Sequence, residues 1–324
     1  MRVLVTGGAG YIGSVVTAQL LSEGHEVIVV DDLSTGHADA VPQAATFHEM
    51  SITALDPVLG DWNIDAVMHF AAKSLVGESA QNPALYWRNN VVGTVAMLDS
   101  LHSFGIGRIV FSSSAATYGQ PDQQPIREDA PARPTSPYGS SKLAIDLALT
   151  DYASAYGMAA VSLRYFNVAG ALHATGGQSY GERHTSETHL VPRALRAATG
   201  TGEELSLFGT DYPTDDGTCI RDYIHVVDLA DAHLRALAVA QQGDHQIINL
   251  GSGNGSSVRE VLDAVRVVTG RDVPVVEAPR RAGDPAVLVA SNERAAQLLG
   301  WVPQRDLIQM ISDAWDFEQS GIGL

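Results

Sequence analysis

The first thirteen residues, MRVLVTGGAGYIG (residues 1–13), decide the fold of this chain. RVLVT is an apolar strand, and Gly7, Gly10 and Gly13 follow at Gly-x-x-Gly-x-x-Gly spacing before a helix predicted from about Tyr11 to Leu21. Glycines so placed allow a tight turn, let the backbone approach a pyrophosphate, and seat the helix close to the strand. Glycine-rich turns are common, so the motif needs support from its surroundings.

A second strand supplies that support. EVIVVDD (residues 26–32) contains Asp31, eighteen residues after Gly13. In dinucleotide-binding folds an acidic side chain at this distance binds the adenosine ribose hydroxyls. No lysine or arginine lies between Arg2 and Lys73 to neutralise the 2′-phosphate of NADP. The sequence therefore predicts a nucleotide site that prefers NAD to NADP.

Apolar segments alternate with helical patterns along most of the chain. The segments are RVLVT, EVIVV, residues 45–47, DAVMHF, RIVFSSS, AAVSLRYFN and HQIINLG. Strands separated by helices predict an α/β fold with a Rossmann-like, doubly wound parallel sheet and right-handed crossovers. Ligands bind beyond the carboxyl ends of such strands. Ser114, at the end of RIVFSSS, is therefore predicted to face the same crevice as Tyr138.

A change of composition near Gly170 predicts a smaller C-terminal α/β domain that binds substrate. Residues 171–189 and 208–223 are rich in glycine, threonine and acidic residues, which is typical of binding loops. We predict an NAD-binding domain of residues 1–170 with return segments at about 221–250, and a smaller domain of residues 171–220 and 251–324. Helices are predicted over 226–240 in the return segment and 258–270 in the smaller domain.

SPYGSSK (residues 136–142) carries the predicted catalytic pair. Ser136 is an N-cap residue type and Pro137 suits the first helical position, so a helix is predicted from there to Gly157. Tyr138 then lies in its first turn, with Lys142 one turn later on the same face. An adjacent ammonium, a cationic nicotinamide and the positive helix N-terminus favour the phenolate, which predicts that Tyr138 is a base near neutral pH. Taken alone, Tyr-x-x-x-Lys is more often an ordinary exposed helix face.

The composition limits the partners and the compartment. The net charge is −17 and no cluster of lysine and arginine offsets it, so nucleic acid and anionic membranes are not expected partners. A single cysteine, Cys219, allows no intrachain disulfide and fits a reducing cytoplasm. No basic-then-apolar leader or membrane-spanning run is visible. No metal site is predicted, because His184 and His189 lack the i, i+4 spacing of a helical zinc pair.

Eight motifs in order across almost the whole chain point to one family. They are GGAGYIG, HFAAKSLVGES, NNVVGT, FSSSAATYG, SPYGSSK, LRYFNVAG, LFGTDYPTDDGTCIRDYIHV and APRRAGD. The chain resembles the UDP-glucose 4-epimerase family of the extended short-chain dehydrogenase/reductases. The glycine and Tyr-x-x-x-Lys motifs belong to the whole superfamily, whereas the GTDYPTDDGT block and its spacing to RRAGD are much more specific.

The resemblance implies an internal redox cycle that uses tightly held NAD. UDP-galactose and UDP-glucose would interconvert through a 4-keto sugar that turns over in the pocket. Tyr138 would remove the proton of the sugar 4-hydroxyl, Lys142 would bind the nicotinamide ribose and lower the tyrosine pKa, and Ser114 would hydrogen-bond the 4-oxygen. The residues that the resemblance places at NAD are Gly7, Gly10, Tyr11, Ile12, Gly13, Asp31, Asp32, Ser51, Ile52, Phe70, Ala71, Ala72, Asn90, Ser112, Tyr138, Lys142 and Tyr165.

On the substrate side the resemblance implies firm binding of UDP and loose binding of the hexose. Two arginines suit a diphosphate because guanidinium groups bind its oxygens in pairs and stay charged when desolvated. As alternatives, Arg221 would be a structural partner of Asp222 or Asp228, and Arg281 an exposed loop charge. The implied substrate-binding residues are Ser114, Tyr138, Asn167, His189, Leu190, Phe208 beside the uracil, Arg221, Arg281 and Asp284.

The chain departs from the family pattern at three positions. Ser51-Ile52 stands where the family usually has an Asp-Ile pair at the adenine, so that contact is expected to be weaker or rearranged. Lys73 falls one place earlier than the lysine of some relatives, and no cofactor role is assigned to it. At His189 many members carry asparagine, which makes its role the least secure of the set.

Three other functions remain open from the sequence. A sugar-nucleotide dehydratase would need Asp-Glu after the active-site Ser or Thr, but Ala115-Ala116 follows Ser114. A 4-epimerase of N-acetylated or uronic UDP-sugars is the nearer rival, and Leu288, which would limit space beside the sugar, favours plain glucose and galactose. A non-catalytic NAD-binding regulator would often have lost Tyr138 or Lys142. The family also implies a homodimer, through helices that include residues 89–102 and the Tyr138 helix.

Overall fold

A seven-stranded sheet forms the centre of the protein. The computed structural model describes residues 1–174, 177–281 and 283–321. The strands of the described residues, in the central sheet and outside it, are in chain order β1 (Arg2–Thr6), β2 (Glu26–Asp31), β3 (Thr46–Glu49), β4 (Ala66–His69), β5 (Arg108–Ser114), β6 (Ala159–Tyr165), β7 (Asn167–Ala169), β8 (Leu172–His173), β9 (Ser179–Tyr180), β10 (Leu205–Phe208), β11 (Ile220–Arg221), β12 (Tyr223–His225), β13 (His245–Leu250), β14 (Ser256–Ser257), β15 (Val275–Ala278) and β16 (Val287–Leu288).

Helices cover the sheet and build most of the smaller unit. They are α1 (Tyr11–Ser22), α2 (Asp56–Trp62), α3 (Val76–Gln81), α4 (Pro83–Tyr86), α5 (Gly93–Ser103), α6 (Pro137–Tyr156), α7 (Leu190–Thr199), α8 (Val226–Val239), α9 (Val258–Thr269), α10 (Glu293–Leu299) and α11 (Leu307–Gln319). None of the helices within the described ranges is long and apolar enough to cross a membrane.

The order of the strands is that of a doubly wound nucleotide-binding sheet. It runs β13-β6-β5-β4-β1-β2-β3, and every neighbouring pair is parallel. The chain reverses direction across the sheet between β1 and β4, which is the switch point where such folds bind ligands. The predicted Rossmann-like fold class is therefore confirmed, and all seven apolar segments named in the sequence belong to this sheet.

Helices bury both faces of the sheet, which explains why its strands are continuous apolar runs. Side chains alternate between the two faces along a strand. Val3 and Val5 pack in one buried cluster with α1 and α8, whereas Leu4 packs in another with α5 and α6. The predicted helix at 226–240 is α8, and it returns to the nucleotide-binding half as expected.

A third buried cluster lies in the smaller unit. It joins α7, α9 and α11 to β10 through residues that include Leu195, Val261, Val265 and Ile311. The C-terminal part of the chain is divided between the two cores, because Leu299 and Trp301 pack with the central sheet. The Trp301 indole donates to the carbonyl of Asp228 at 2.9 Å, which fixes α10 beside α8. The assignment of all of 251–324 to the smaller domain stays a prediction. Within that segment, Leu299 and Trp301 pack with the central sheet instead.

Candidate active site

The glycine turn between β1 and α1 has the close contacts that its sequence predicts. Gly7 has φ +75°, and a Cβ built there would lie 2.5 Å from the backbone nitrogen of Ala71. A Cβ on Gly13 would overlap the carbonyl oxygen of Gly7, so the helix can sit this close to the turn only without a side chain. The Gly10 nitrogen donates to the Gly7 carbonyl at 3.2 Å and closes the turn.

Asp31 supports this turn from the end of β2. Its carboxylate accepts the backbone N–H groups of Ala9 at 3.0 Å and Leu33 at 2.9 Å, and the residue is 8% exposed. Burial raises the pKa of the carboxyl, against the opposing effect of those two hydrogen bonds. Asp31 therefore positions the glycine turn as well as facing the crevice.

A cavity opens at the carboxyl ends of the central strands, and the turn and Asp31 line it together. The predicted cofactor residues in its lining are Gly7, Gly10, Asp31, Asp32, Ser51, Ile52, Phe70, Ala71 and Ala72. The other eight, Tyr11, Ile12, Gly13, Asn90, Ser112, Tyr138, Lys142 and Tyr165, are not in the lining. Gly7 and Gly10 present backbone without side chains to this cavity, so its lining fits a dinucleotide whose pyrophosphate approaches the backbone.

Lys73 was left without a role by sequence reasoning, and the structure places it in the same lining. Its ammonium donates to the Ser34 hydroxyl at 3.2 Å, across the cavity mouth. Asn90 fixes this loop from behind: its side-chain amide bonds the backbone N–H of Lys73 at 2.8 Å and the carbonyl at 3.0 Å, and it donates to Ser141 at 3.1 Å. Asn90 is fully buried in a wide helical turn, Trp87–Val92, and joins the loop to α6.

Ser51 caps a short helical turn. Its hydroxyl accepts the backbone N–H of Thr53 at 3.2 Å and bonds the Thr53 hydroxyl at 2.9 Å. Ser51 lines the cavity, and those two bonds engage its hydroxyl; the weaker or rearranged adenine contact stays a prediction. Tyr11, at the start of α1, donates its hydroxyl to the Gly170 carbonyl at 2.6 Å.

Helix α6 begins as its sequence predicts and brings the catalytic residues together. The Ser136 hydroxyl accepts the Gly139 N–H at 3.1 Å, Pro137 is the first helical residue, and Gly157 ends the helix in a left-handed conformation. Ser114, which ends β5 and is 8% exposed, is close enough to the Tyr138 hydroxyl to act on its pKa. The exposed-face alternative for this Tyr-Lys pair is therefore excluded.

Lys142 is buried, at 2% exposure. Its ammonium donates to the Ser112 carbonyl at 2.6 Å and lies 4.7 Å from the centre of the Phe111 ring. Burial lowers the pKa of Lys142 to about 7, and the negative charge of Asp146 only partly opposes this. The hydroxyl of Ser112 contacts that of Tyr165, and burial raises the pKa of Tyr165.

The tyrosine pKa differs from the simplest expectation. Burial raises the pKa of Tyr138 above its usual value of 10.0, and the hydrogen bond from Ser114 opposes that effect. The Lys142 ammonium lies 5.9 Å from the centre of the tyrosine ring and is directed at the Ser112 carbonyl. The groups of the protein therefore do not lower this pKa by themselves.

Arg221 and Asp284, both predicted to bind substrate, form an ion pair. Arg221 lies on β11 and its guanidinium also donates to the Ile220 carbonyl at 2.7 Å. The alternative partners are engaged elsewhere: Asp222 accepts backbone N–H groups such as that of Gly253 at 3.0 Å, and Asp228 pairs with an arginine near the C-terminus. The two structural partners that were the alternatives for Arg221 are therefore excluded, and its binding of substrate stays a prediction.

Arg281 is an exposed charge, but it is not without a contact. Its guanidinium lies 4.0 Å from the centre of the Phe208 ring, so two predicted UDP-binding residues stack on each other. Leu288 is paired in register with Arg221, which places it at the same edge. Asn167, at the start of β7, is exposed, and its backbone N–H donates to the Asp222 carbonyl at 2.9 Å.

Sequence reasoning missed the surroundings of His189. His189 precedes α7, where Leu190 is the first residue, and its ring bonds Glu182. His184 and Glu187 join them, so that four ligand-type atoms all lie within 4.8 Å of one another. The absence of i, i+4 spacing excludes a zinc-binding pair of histidines on one helix, but it does not exclude a group of metal-ligand side chains in a loop. The signal available was the repeated alternation of glutamate and histidine in GERHTSETH.

Comparison with known proteins agrees with this geometry. The NAD dependent epimerase/dehydratase family matches residues 3–251. A UDP-glucose 4-epimerase of Corynebacterium glutamicum is 52% identical, over 98% of this chain and 95% of that protein. These matches confirm the resemblance and the NAD dependence that the sequence predicts.

Two solved structures extend the comparison to three dimensions. UDP-glucose 4-epimerase from Brucella ovis in complex with NAD has a TM-score of 0.93 at 44% identity and covers 98% of each chain. The enzyme from Bifidobacterium longum in complex with NAD+ and UDP has a TM-score of 0.92 at 34% identity and covers 99% of this chain and 98% of that one. By sequence and by structure, this chain belongs to the NAD dependent epimerase/dehydratase family.

Proposed function

We propose that this chain is a UDP-glucose 4-epimerase, which interconverts UDP-galactose and UDP-glucose through a 4-keto intermediate. The observation that carries the proposal is the grouping of Tyr138 with the buried side chains of Lys142 and Ser114 at the start of α6 and the end of β5, in the same fold as the glycine-turn cavity. The relatives, about half identical over nearly the whole chain, support the substrate. NAD, when bound, would supply the acceptor for the hydride of the sugar C4. After the keto sugar has turned, the hydride returns to the opposite face of C4.

The residues of the chain would act as follows. Tyr138 removes the proton of the sugar 4-hydroxyl at its own phenol oxygen, and Ser114 hydrogen-bonds the same sugar oxygen. Lys142 is fixed by the Ser112 carbonyl, from which it can bind a ribose hydroxyl and add positive charge near Tyr138. Asp31 accepts from the adenosine ribose at the far end of the cavity.

The substrate side would hold the nucleotide firmly and the sugar loosely. Arg221 and Arg281 bind the diphosphate, and Phe208 stacks against the uracil. Asp284, Asn167, His189 and Leu190 complete the UDP contacts. Because no charged group is assigned to the hexose, the keto sugar can turn while UDP stays in place. Leu288 would limit the space for an N-acetyl group.

The first test is incubation of purified protein with UDP-galactose without added NAD, followed by assay of UDP-glucose. Conversion is expected, and Tyr138→Phe should lower it by about 10²- to 10⁴-fold, the usual contribution of a general base. Tyr152→Phe, which removes a hydroxyl from the same helix, should retain activity. No conversion even with NAD supplied, or full activity in Tyr138→Phe, would contradict the proposal; turnover of UDP-N-acetylgalactosamine instead would favour the rival substrate.

We further infer that the protein is a homodimer. Helices α5 and α6 pack against each other; Val92, just before α5, is 62% exposed, and Leu147, on α6, is 60% exposed. Exposed apolar side chains on adjacent helices favour burial against a second copy. Sedimentation should show a dimer that Leu147→Glu weakens, while Val267→Glu, at a 69% exposed position on α9, leaves it intact. A monomeric wild-type protein would contradict this inference.

We also propose a cytoplasmic location. Cys219, the one cysteine, is buried and free, which suits a reducing compartment. Burial raises the pKa of its thiol and keeps it unreactive. Cell fractionation with an antibody against the chain tests the proposal, and recovery in the secreted fraction would contradict it.

A further inference from the structure

A compact cluster of metal-ligand side chains lies in the segment between β9 and α7. We call Glu182, His184, Glu187 and His189 the loop cluster, and their ligand atoms all lie within 4.8 Å of one another. Two imidazoles and two carboxylates are a donor set that suits Zn²⁺. We propose that the loop cluster is a structural zinc site, separate from the proton transfer at Tyr138, in which His189 binds the ion through Nδ1 and keeps Nε2 for its proposed UDP contact.

Two separations between donor atoms match those of a tetrahedral ion. Zn–N and Zn–O bonds of about 2.0–2.2 Å in a tetrahedron place neighbouring ligand atoms about 3.3 Å apart. His184 Nδ1 lies 3.1 Å from Glu182 Oε1 and 3.5 Å from Glu187 Oε2. His189 Nδ1 bonds the same Glu182 oxygen more closely, and this one contact must lengthen when the ion enters.

Direct hydrogen bonds do not account for the whole cluster. Within the described residues, His184 Nδ1 and Glu187 Oε2 are buried and have no hydrogen-bond partner of acceptable geometry. A charge-assisted N–H···O bond would bring them to about 2.7–2.9 Å along the N–H direction. Instead they lie 3.5 Å apart, which is longer than such a bond and close to the separation of two ligands of one ion.

Charge and burial point the same way. The side chains of Glu182 and Glu187 are 8% and 4% exposed, so two carboxylates lie close together with little access to water. A doubly charged cation would offset both charges, in place of the ion pairs that the two carboxylates make with His184 and His189. The His189 side chain is 48% exposed and leaves a path for the metal from solvent.

The position of the loop cluster suggests what a metal would do. Four protein ligands leave no open position for substrate, which is typical of structural rather than catalytic zinc. The intervening Arg183 pairs with Asp39 at 2.6 Å, so the segment already lies against the nucleotide-binding half. Zinc would hold the residues between β9 and α7 in one conformation. It would also stabilise the folded chain, because the unfolded chain lacks the site.

Metal content is the direct test. Protein purified from zinc-supplemented culture and passed through a desalting column should contain about one zinc per chain by mass spectrometry. After chelation, added Co²⁺ should give the intense visible bands of tetrahedral coordination. His184→Ala and Glu187→Gln should each weaken metal binding by at least about tenfold. Each should also reduce the rise in melting temperature that zinc produces. His173→Ala is the control, because that exposed histidine lies near Asp313 and Asp316 in a separate group.

Each outcome decides the proposal. Loss of metal in His173→Ala but not in His184→Ala would move the ion to the other group and overturn it. Wild-type protein that holds no stoichiometric zinc and gives no cobalt bands would also overturn it, leaving protonated histidines to neutralise the carboxylates. If the variants fail to fold, X-ray absorption of zinc in the wild-type protein decides, since two imidazole ligands are expected and their absence contradicts the site.

Discussion

Replacing Lys142 with methionine should stabilise the NAD-free protein while it abolishes epimerisation. Lys142 is 2% exposed, and burial lowers its pKa from 10.5 to about 7. A lysine whose pKa is lower in the folded state opposes folding wherever the unfolded chain holds the extra proton. Methionine keeps the length and helix propensity of the side chain and removes the charge.

The magnitude follows from the two pKa values. At pH 7 the unfolded chain is protonated and the folded chain only half so, and the shift corresponds to about 4 kcal/mol of lost stability. The variant also loses the 2.6 Å bond to the Ser112 carbonyl, and this loss cancels about 1–3 kcal/mol of the stability gained by removing the charge. The free energy of unfolding should therefore rise by about 1–3 kcal/mol at pH 7.

The pH dependence gives a sharper check. Between pH 7 and 10.5 the unfolded chain binds more protons at this lysine, so this group makes the wild-type protein more stable as pH rises. The advantage of Lys142→Met should shrink by about 2 kcal/mol between pH 7 and pH 9. Urea unfolding of both proteins, stripped of NAD, measures it. A variant less stable than wild type at pH 7, or a difference that does not change with pH, would refute the reasoning.

Three further changes test the framework and the cofactor site. Asp146→Ala leaves the buried Arg164 guanidinium without its 2.8 Å partner, so urea unfolding should show a loss of about 3–5 kcal/mol. Asp31→Asn should speed NAD release, measured by fluorescence, while UDP affinity by calorimetry is retained; equal losses of both would contradict the assignment. Gly13→Ala drives a methyl into the Gly7 carbonyl, so purified protein should lack NAD, and normal NAD content would contradict the close approach.

The central fold was predictable because its local signals agree with its packing. The apolar runs, the glycine turn and the Ser136-Pro137 helix start each specify structure within a few residues, and the sheet uses all of them. The division of the C-terminal segment was not predictable in this way. Trp301 reaches Asp228 across 73 residues, and no local pattern encodes such a contact.

The site residues show the same limit. The spacing of Tyr138 and Lys142 predicts that they share a helix face, but not that Lys142 would point to the Ser112 carbonyl. Likewise the APRRAGD motif predicts that Arg281 binds a diphosphate, but only the structure shows that its guanidinium stacks on the Phe208 ring. Burial and orientation arise from distant strands, so pKa values in particular could not be read from spacing.

The raised pKa of Tyr138 implies that the protein does not form an active base by itself. Burial opposes the phenolate, and Lys142 is directed at a carbonyl and is itself only half charged near pH 7. A single positive charge at about 4 Å contributes about 4 kcal/mol at an effective dielectric of about 20, which is about three pKa units for a phenol. An oxidised nicotinamide carries such a charge and the reduced ring does not. The charge of the oxidised ring would therefore favour the phenolate that takes the 4-hydroxyl proton, and its loss would favour a neutral Tyr138 that keeps this proton until hydride returns to C4.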